Sequence, residues 1–164
     1  MTPNPYAPPK ADVADVVRGE VAPPLWNANA AASWSLLFSP AFGAFVHMKN
    51  WQALGEPAKA ASAKTWGIAT LVVLLVVSVA SMLVPDSKAL DGVSRLIMFA
   101  LLLSWYYSSG RPQAALIKAR FGTLYPRRGW AKPLLLAVAA LVVFFAAMMV
   151  VGFSVGAFRG EGIQ

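Results

Sequence analysis

The chain has 164 residues, of which 58% are hydrophobic and only 13% are charged, and its net charge is +7. A water-soluble domain of this length carries a larger share of charged residues, so the composition argues against a soluble globular protein. The complete lack of cysteine excludes disulfides, thiolate metal sites and cysteine nucleophiles. We therefore expect an all-α integral membrane protein, a helical bundle with one domain over residues 25–164.

The first 24 residues form a separate, proline-rich tail. Residues 1–24 hold half of the 12 prolines of the chain, a composition that favours extended and solvated backbone. We predict that this tail is disordered. Its start lacks a basic stretch followed by an apolar run, so we expect no cleavable signal peptide.

Four apolar segments predict four transmembrane helices, at about residues 29–48, 66–84, 93–109 and 133–157. The second and fourth are free of charge and each is long enough to cross about 30 Å of hydrocarbon. The third carries Arg95 near one end and Trp105 near the other, where long or amphipathic side chains reach the headgroups. The first is more polar, so the alternative is three spans with an interfacial or re-entrant first helix.

Glycine and proline mark the expected helix ends. Gly55 and Pro57 predict a tight turn between the first two helices, which then form a hairpin. Gly110 is expected to end the third span, and Gly122 to end the short helix that follows it. Pro40 lies in the middle of the first segment, where we expect a kink.

The basic residues lie mainly in two loops on one side of the predicted bundle. Loops 49–65 and 111–132 together carry nine lysines and arginines and a single acid, Glu56. The positive-inside rule places these loops in the cytoplasm. With four spans both termini face outward, and if the first segment does not cross, only the tail changes side.

Two patterns of small residues predict close packing of helices in lipid. A row in the first segment repeats every four residues and is followed by the only histidine, and a GxxxG pair lies in the last span. The row either docks a partner or packs within the bundle, and we favour the second. We expect His47 to be an interfacial residue rather than a ligand. The predicted packing residues are Ala31, Ser35, Ser39, Gly43, His47, Gly152 and Gly156.

The second basic loop predicts contact with anionic lipids of the cytoplasmic leaflet, because it carries six cations and no acid. The alternative is a topology signal without a further role, and the two are equally supported. Nucleic acid is not an expected partner, because the basic residues flank apolar segments. The predicted lipid-contact residues are Arg111, Lys118, Arg120, Arg127, Arg128 and Lys132.

The chain lacks two of the sequence signatures of common catalytic sites. It contains no HExxH and no GxxxxGK, and we predict no enzyme activity, cofactor or metal. No charged residue lies deep in a predicted span, which argues against proton pumps and ion-coupled carriers.

Two stretches resemble a known group of proteins. NPYAPP near the start, and a WSxxFxPxFGxxxHxxNWxxLG-like segment between Trp26 and Ala60, are similar to small inner-membrane proteins of proteobacteria. The resemblance covers about the first third of the chain. It implies a bacterial cytoplasmic membrane and no particular activity.

These observations favour a non-catalytic multi-pass protein of the inner membrane. It would act by helix packing with a membrane-protein partner or with itself, as an accessory, scaffold or inhibitory (immunity-type) protein. The alternative is a small transporter or channel, and a membrane enzyme ranks below both. The polar path that a transporter needs would use Asn27, Asn29, Ser33, Ser35, Ser39, His47, Ser104 and Ser108.

Overall fold

The structure is a computed structural model that describes residues 21–84, 87–158 and 160. Of these residues 83% are helical and none belongs to a β-strand, which confirms the all-α class. Residues 1–20, which make up most of the proline-rich tail, lie outside the described residues. The prediction that this part is disordered therefore stays a prediction. The helices are α1 (Ala28–Phe38), α2 (Pro40–Ala53), α3 (Pro57–Leu83), α4 (Lys88–Trp105), a π-helical turn (Tyr106–Gly110), α5 (Arg111–Phe121) and α6 (Ala131–Phe158).

Three of the helices are long and apolar enough to cross a membrane: Pro57–Leu83, Lys88–Phe121 and Ala131–Phe158. Their most apolar stretches have mean hydropathies of 2.4, 1.3 and 3.0. They contain the predicted spans at 93–109 and 133–157 and all of the span at 66–84 except its last residue, Val84. A fourth span over 29–48 is not confirmed, because this segment is divided into two helices of 11 and 14 residues.

Helices α1 and α2 form a short antiparallel hairpin that turns at Ser39. Ser39 has a φ of 85°, and Pro40 is the first residue of α2, where its missing N–H is not needed. Beyond the turn the chain runs back along itself, so that Ala28 lies beside His47 and Trp26 beside Asn50. Pro40 therefore marks a complete reversal of the chain, where the sequence predicted a kink.

The predicted turn at Gly55 is confirmed, and the predicted helix end at Gly110 is wrong. Gly55 has a φ of 71° and Pro57 opens α3, which packs antiparallel to α2 along its length. At Gly110 the chain continues as a π-helical turn in which the N–H of Arg111 donates to the carbonyl of Tyr106. This wider turn accommodates the Pro112 ring without ending the helix, which runs on to Gly122.

Packing is densest at the end of the molecule that carries the basic loops. One apolar cluster joins Leu25, Ala28 and Ile117, and a second joins Trp51, Ala60 and Ala63. In contrast, only 11%, 6% and 6% of the residues in the apolar stretches of the three long helices are buried within the chain. The well-packed end fixes the hairpin, while few residues in the apolar stretches of the long helices are buried by the described part of the chain.

Candidate functional site

A cluster of buried polar side chains joins the hairpin to α5. His47 and Asn50 lie one turn apart on α2, Gln113 lies on α5, and all three are fully buried. We call these three residues the polar cluster. Buried polar groups are costly unless they are hydrogen-bonded, so their partners decide whether the cluster stabilises the fold.

Asn50 holds the start of α1 against the end of α2. Its Oδ1 accepts from the backbone N–H of Trp26 at 3.0 Å, and its Nδ2 donates to the carbonyl of Trp26 at 2.9 Å. Nδ2 also donates to Gln113 Oε1 at 3.2 Å. The Asn50 side chain therefore satisfies both backbone hydrogen-bonding groups of Trp26, as a neighbouring β-strand would.

Gln113 and His47 complete the cluster through further backbone carbonyls. Gln113 Nε2 donates to the His47 carbonyl at 2.9 Å, and His47 Nε2 lies 3.2 Å from the Ala28 carbonyl. Because a carbonyl oxygen only accepts, Nε2 carries the proton of this hydrogen bond. His47 is thus buried inside the protein, and its expected height at the membrane interface stays a prediction.

The predicted ridge of small residues lies inside the chain. Ala31, Ser35 and Gly43 are buried between α1, α2 and the fully buried ring of Trp105, while Ser39 forms the hairpin turn. A Cβ on Gly43 would clash with Ser35 Oγ and with the Trp105 ring. The close approach that the sequence predicted is therefore made within this chain, and the buried side chains leave no surface for a partner at these positions.

The π-helical turn follows Trp105 and lies against the histidine. The rings of His47 and Trp105 are 5.4 Å apart, and a Cβ on Gly110 would lie 3.7 Å from both. Trp105 Nε1 is buried and has no hydrogen-bond partner among the described residues. An unpaired buried donor costs about 1–3 kcal/mol, so the packing around Trp105 must offset this loss.

The GxxxG pair of the last span makes little contact within the chain. A Cβ on Gly152 would lie 3.8 Å from Met82 Cε, and one on Gly156 would meet nothing within 4 Å. The pair is therefore not used for close approach between α6 and another described helix.

The predicted lipid-contact residues lie around the well-packed end. Five of them are exposed and Arg128 is half-buried, with its guanidinium 4.6 Å from the Trp26 ring. Lys118 and Arg127 line a small cleft of about 110 Å³ beside Asn27. The ion pair found among the described residues, Lys59 with Glu56, does not involve any of these six residues.

The polar side chains described at this site make structural contacts with backbone groups and with each other. In the described part of the chain no three histidine, cysteine or acidic residues come together as a metal site. The polar cluster contains no acid, and its two amides are hydrogen-bonded to backbone groups and to each other.

Asn50 and Gln113 were missed by the sequence analysis. A signal for Asn50 was present, because the HxxN spacing of His47 and Asn50 puts both residues on one face of α2. Gln113 had no such signal, since its role depends on the turn that keeps α5 continuous with α4.

Comparison with known proteins gives no relative. No protein-family model matches the chain, no curated protein matches it, and no solved structure matches its fold. The resemblance to small proteobacterial membrane proteins therefore stays a prediction.

Proposed function

We propose that this protein is a non-catalytic, multi-pass membrane protein that acts by packing its helices against another membrane protein or a second copy. The supporting observation is the contrast between its two ends. The polar cluster and the two apolar clusters pack one end of the protein tightly. In the apolar stretches of the three long helices, by contrast, at most 11% of the residues are buried within the chain.

The exposed surface has the character of a helix-packing surface. Helix α6 presents large apolar side chains along its whole length, including Val142, Val150 and Phe153, and it touches α3 only sparsely. Its GxxxG pair adds a place where a foreign backbone can approach closely at Gly156, where a Cβ would meet no described residue within 4 Å. An accessory, scaffold or inhibitory role requires such a surface, and no further chemistry.

The inner membrane of a bacterium is the proposed location, with the basic loops in the cytoplasm. The support for this orientation is the charge of the loops, nine basic residues against one acid. Anionic lipids of the cytoplasmic leaflet are the proposed contacts of the exposed arginines and lysines.

Gentle detergent extraction of a tagged protein from its native membrane, followed by mass spectrometry, tests the proposal. We expect one protein in stoichiometric amount, or a defined homo-oligomer. A monomer without any companion would contradict it. Solute or ion flux by the purified protein in liposomes would favour the transporter alternative, although Ser35 and His47 of its predicted path are buried and Ser104 and Ser108 are exposed on another surface.

A further inference from the structure

The hairpin of α1 and α2 lies at a definite height along the long helices. Phe45 contacts Gly67, and Trp51 packs with Ala60 and Ala63, so α2 and α3 run antiparallel in a fixed register. Extending this register by the helical rise of about 1.5 Å per residue puts Pro40 near Val72. The hairpin tip is thus about 9 Å beyond Trp66, where the uncharged part of α3 begins.

The same register brings three cations to one level. Lys49 of α2 is level with Lys64 of α3, and the contacts of His47 with Gly110 and of Asn50 with Gln113 put Arg111 at this level too. All three side chains are exposed. Cations from three helices at one height match a plane of lipid phosphates, and the hairpin tip lies about 12 Å above them on the apolar side.

The tip itself presents apolar side chains that the protein does not cover. Leu36 and Leu37 are 73% and 72% exposed, and they lie next to the aromatic row of Trp34, Phe38 and Phe42. The ring of Trp130 joins this row at 6.4 Å from Phe42. Aromatic rings around exposed leucines are typical of a segment that lies in the headgroup region and reaches the upper acyl chains.

Both ends of the hairpin lie on the side of the basic loops. The N–H of Leu25 donates to the Pro126 carbonyl at 3.0 Å, and the N–H of Arg128 donates to the Leu25 carbonyl at 2.9 Å. Trp26 Nε1 donates to the Gly129 carbonyl at 2.9 Å. The chain that enters α1 is therefore fastened to the loop that precedes α6.

From this geometry we propose that the α1–α2 hairpin is a lipid-binding wedge, which inserts its Leu36–Leu37 tip into the leaflet on the basic side and does not cross the membrane. The occupant of the exposed tip is lipid, because the tip continues the apolar surface of helices that span the same bilayer. A depth of about 9 Å agrees with the roughly 5–10 Å that interfacial segments reach. The inference rests on the proposed membrane embedding, and it puts residues 21–27, which lead into α1, on the side of the basic loops.

Single cysteines in this cysteine-free chain test the proposal. Leu37→Cys and Leu124→Cys form a matched pair, because the protein leaves both leucines largely exposed, at 72% and 95%. The purified variants are reconstituted in sealed vesicles of phosphatidylethanolamine and phosphatidylglycerol and treated with a membrane-impermeant maleimide from either side. We expect Leu124→Cys to react fully and Leu37→Cys to react at least tenfold more slowly. A fluorophore on Leu37→Cys should be quenched by lipids brominated on the acyl chains.

Three further variants separate the possible failures. Val21→Cys should react with reagent added on the same side of the membrane as Leu124→Cys, and Asp91→Cys with reagent added on the opposite side. If Val21→Cys instead reacts from the same side as Asp91→Cys, the first segment crosses the membrane and the proposal is overturned. Rapid labelling of Leu37→Cys would overturn it in favour of a hairpin in water. Phe153→Cys on α6 should stay unreactive, and its labelling would instead contradict the membrane embedding itself.

Discussion

The packing of Trp105 on Gly43 gives the sharpest prediction for stability. In Gly43→Ala the new methyl group would lie 2.7 Å from Trp105 Cζ2, and it would also clash with Ser35 Oγ. Neither group can move freely, because Trp105 is fully buried and Ser35 Oγ is bonded to the Ala31 carbonyl. Overpacking of this kind costs about 1–3 kcal/mol. We expect Gly43→Ala to insert into the membrane normally and to unfold more readily in detergent.

Gly156→Ala is the matched control, because a Cβ at this position meets nothing within 4 Å. Both substitutions gain about the same 1 kcal/mol of helix propensity, so the difference between the two variants isolates the clash. Trp105→Phe removes the ring atoms that the methyl group meets, and Gly43→Ala should therefore cost less in that background. Equal unfolding free energies for Gly43→Ala and Gly156→Ala would refute the reasoning.

Two more predictions concern the polar cluster and the basic surface. Asn50→Ala leaves the backbone of Trp26 and the Oε1 atom of Gln113 without these partners, and it should lose about 1–3 kcal/mol of unfolding free energy and expose residues 21–27 to protease. Gln52→Ala, on the exposed side of the same helix, should change neither, and equal cleavage of the two variants would contradict the role of Asn50. Replacing Arg111, Lys118 and Arg127 with glutamine should lower the phosphatidylglycerol that co-purifies with the protein, measured by lipid mass spectrometry against the wild type. Unchanged lipid content would count against a lipid-contact role.

The long helices and most of their ends could be predicted from sequence, because they depend on local properties. Continuous apolar runs fix the three candidate spans, and Gly55 and Gly122 require positive φ that glycine adopts without strain. The ridge from Ala31 to Gly43 was also recognisable as a surface of close approach.

The division of the first segment and the placement of His47 depend on contacts between distant residues. Pro40 is compatible with a kink or a reversal, and only the fit of Ser35 and Gly43 around Trp105 selects the reversal. In the same way, the burial of His47 follows from Gln113, which lies 66 residues away along the chain. Periodicity along one segment contains no information about such a partner.

Photo-crosslinking in native membranes tests the central claim, that the exposed apolar surface of the long helices packs against another protein. A photoreactive amino acid is placed at Leu96 on α4 or at Phe153 on α6, which are largely exposed in the chain, and at Leu124 in the loop as a control. The account predicts a single protein adduct, either one partner or a second copy, from α4 or α6 and none from the loop. Adducts with lipid alone at both helical positions would contradict it.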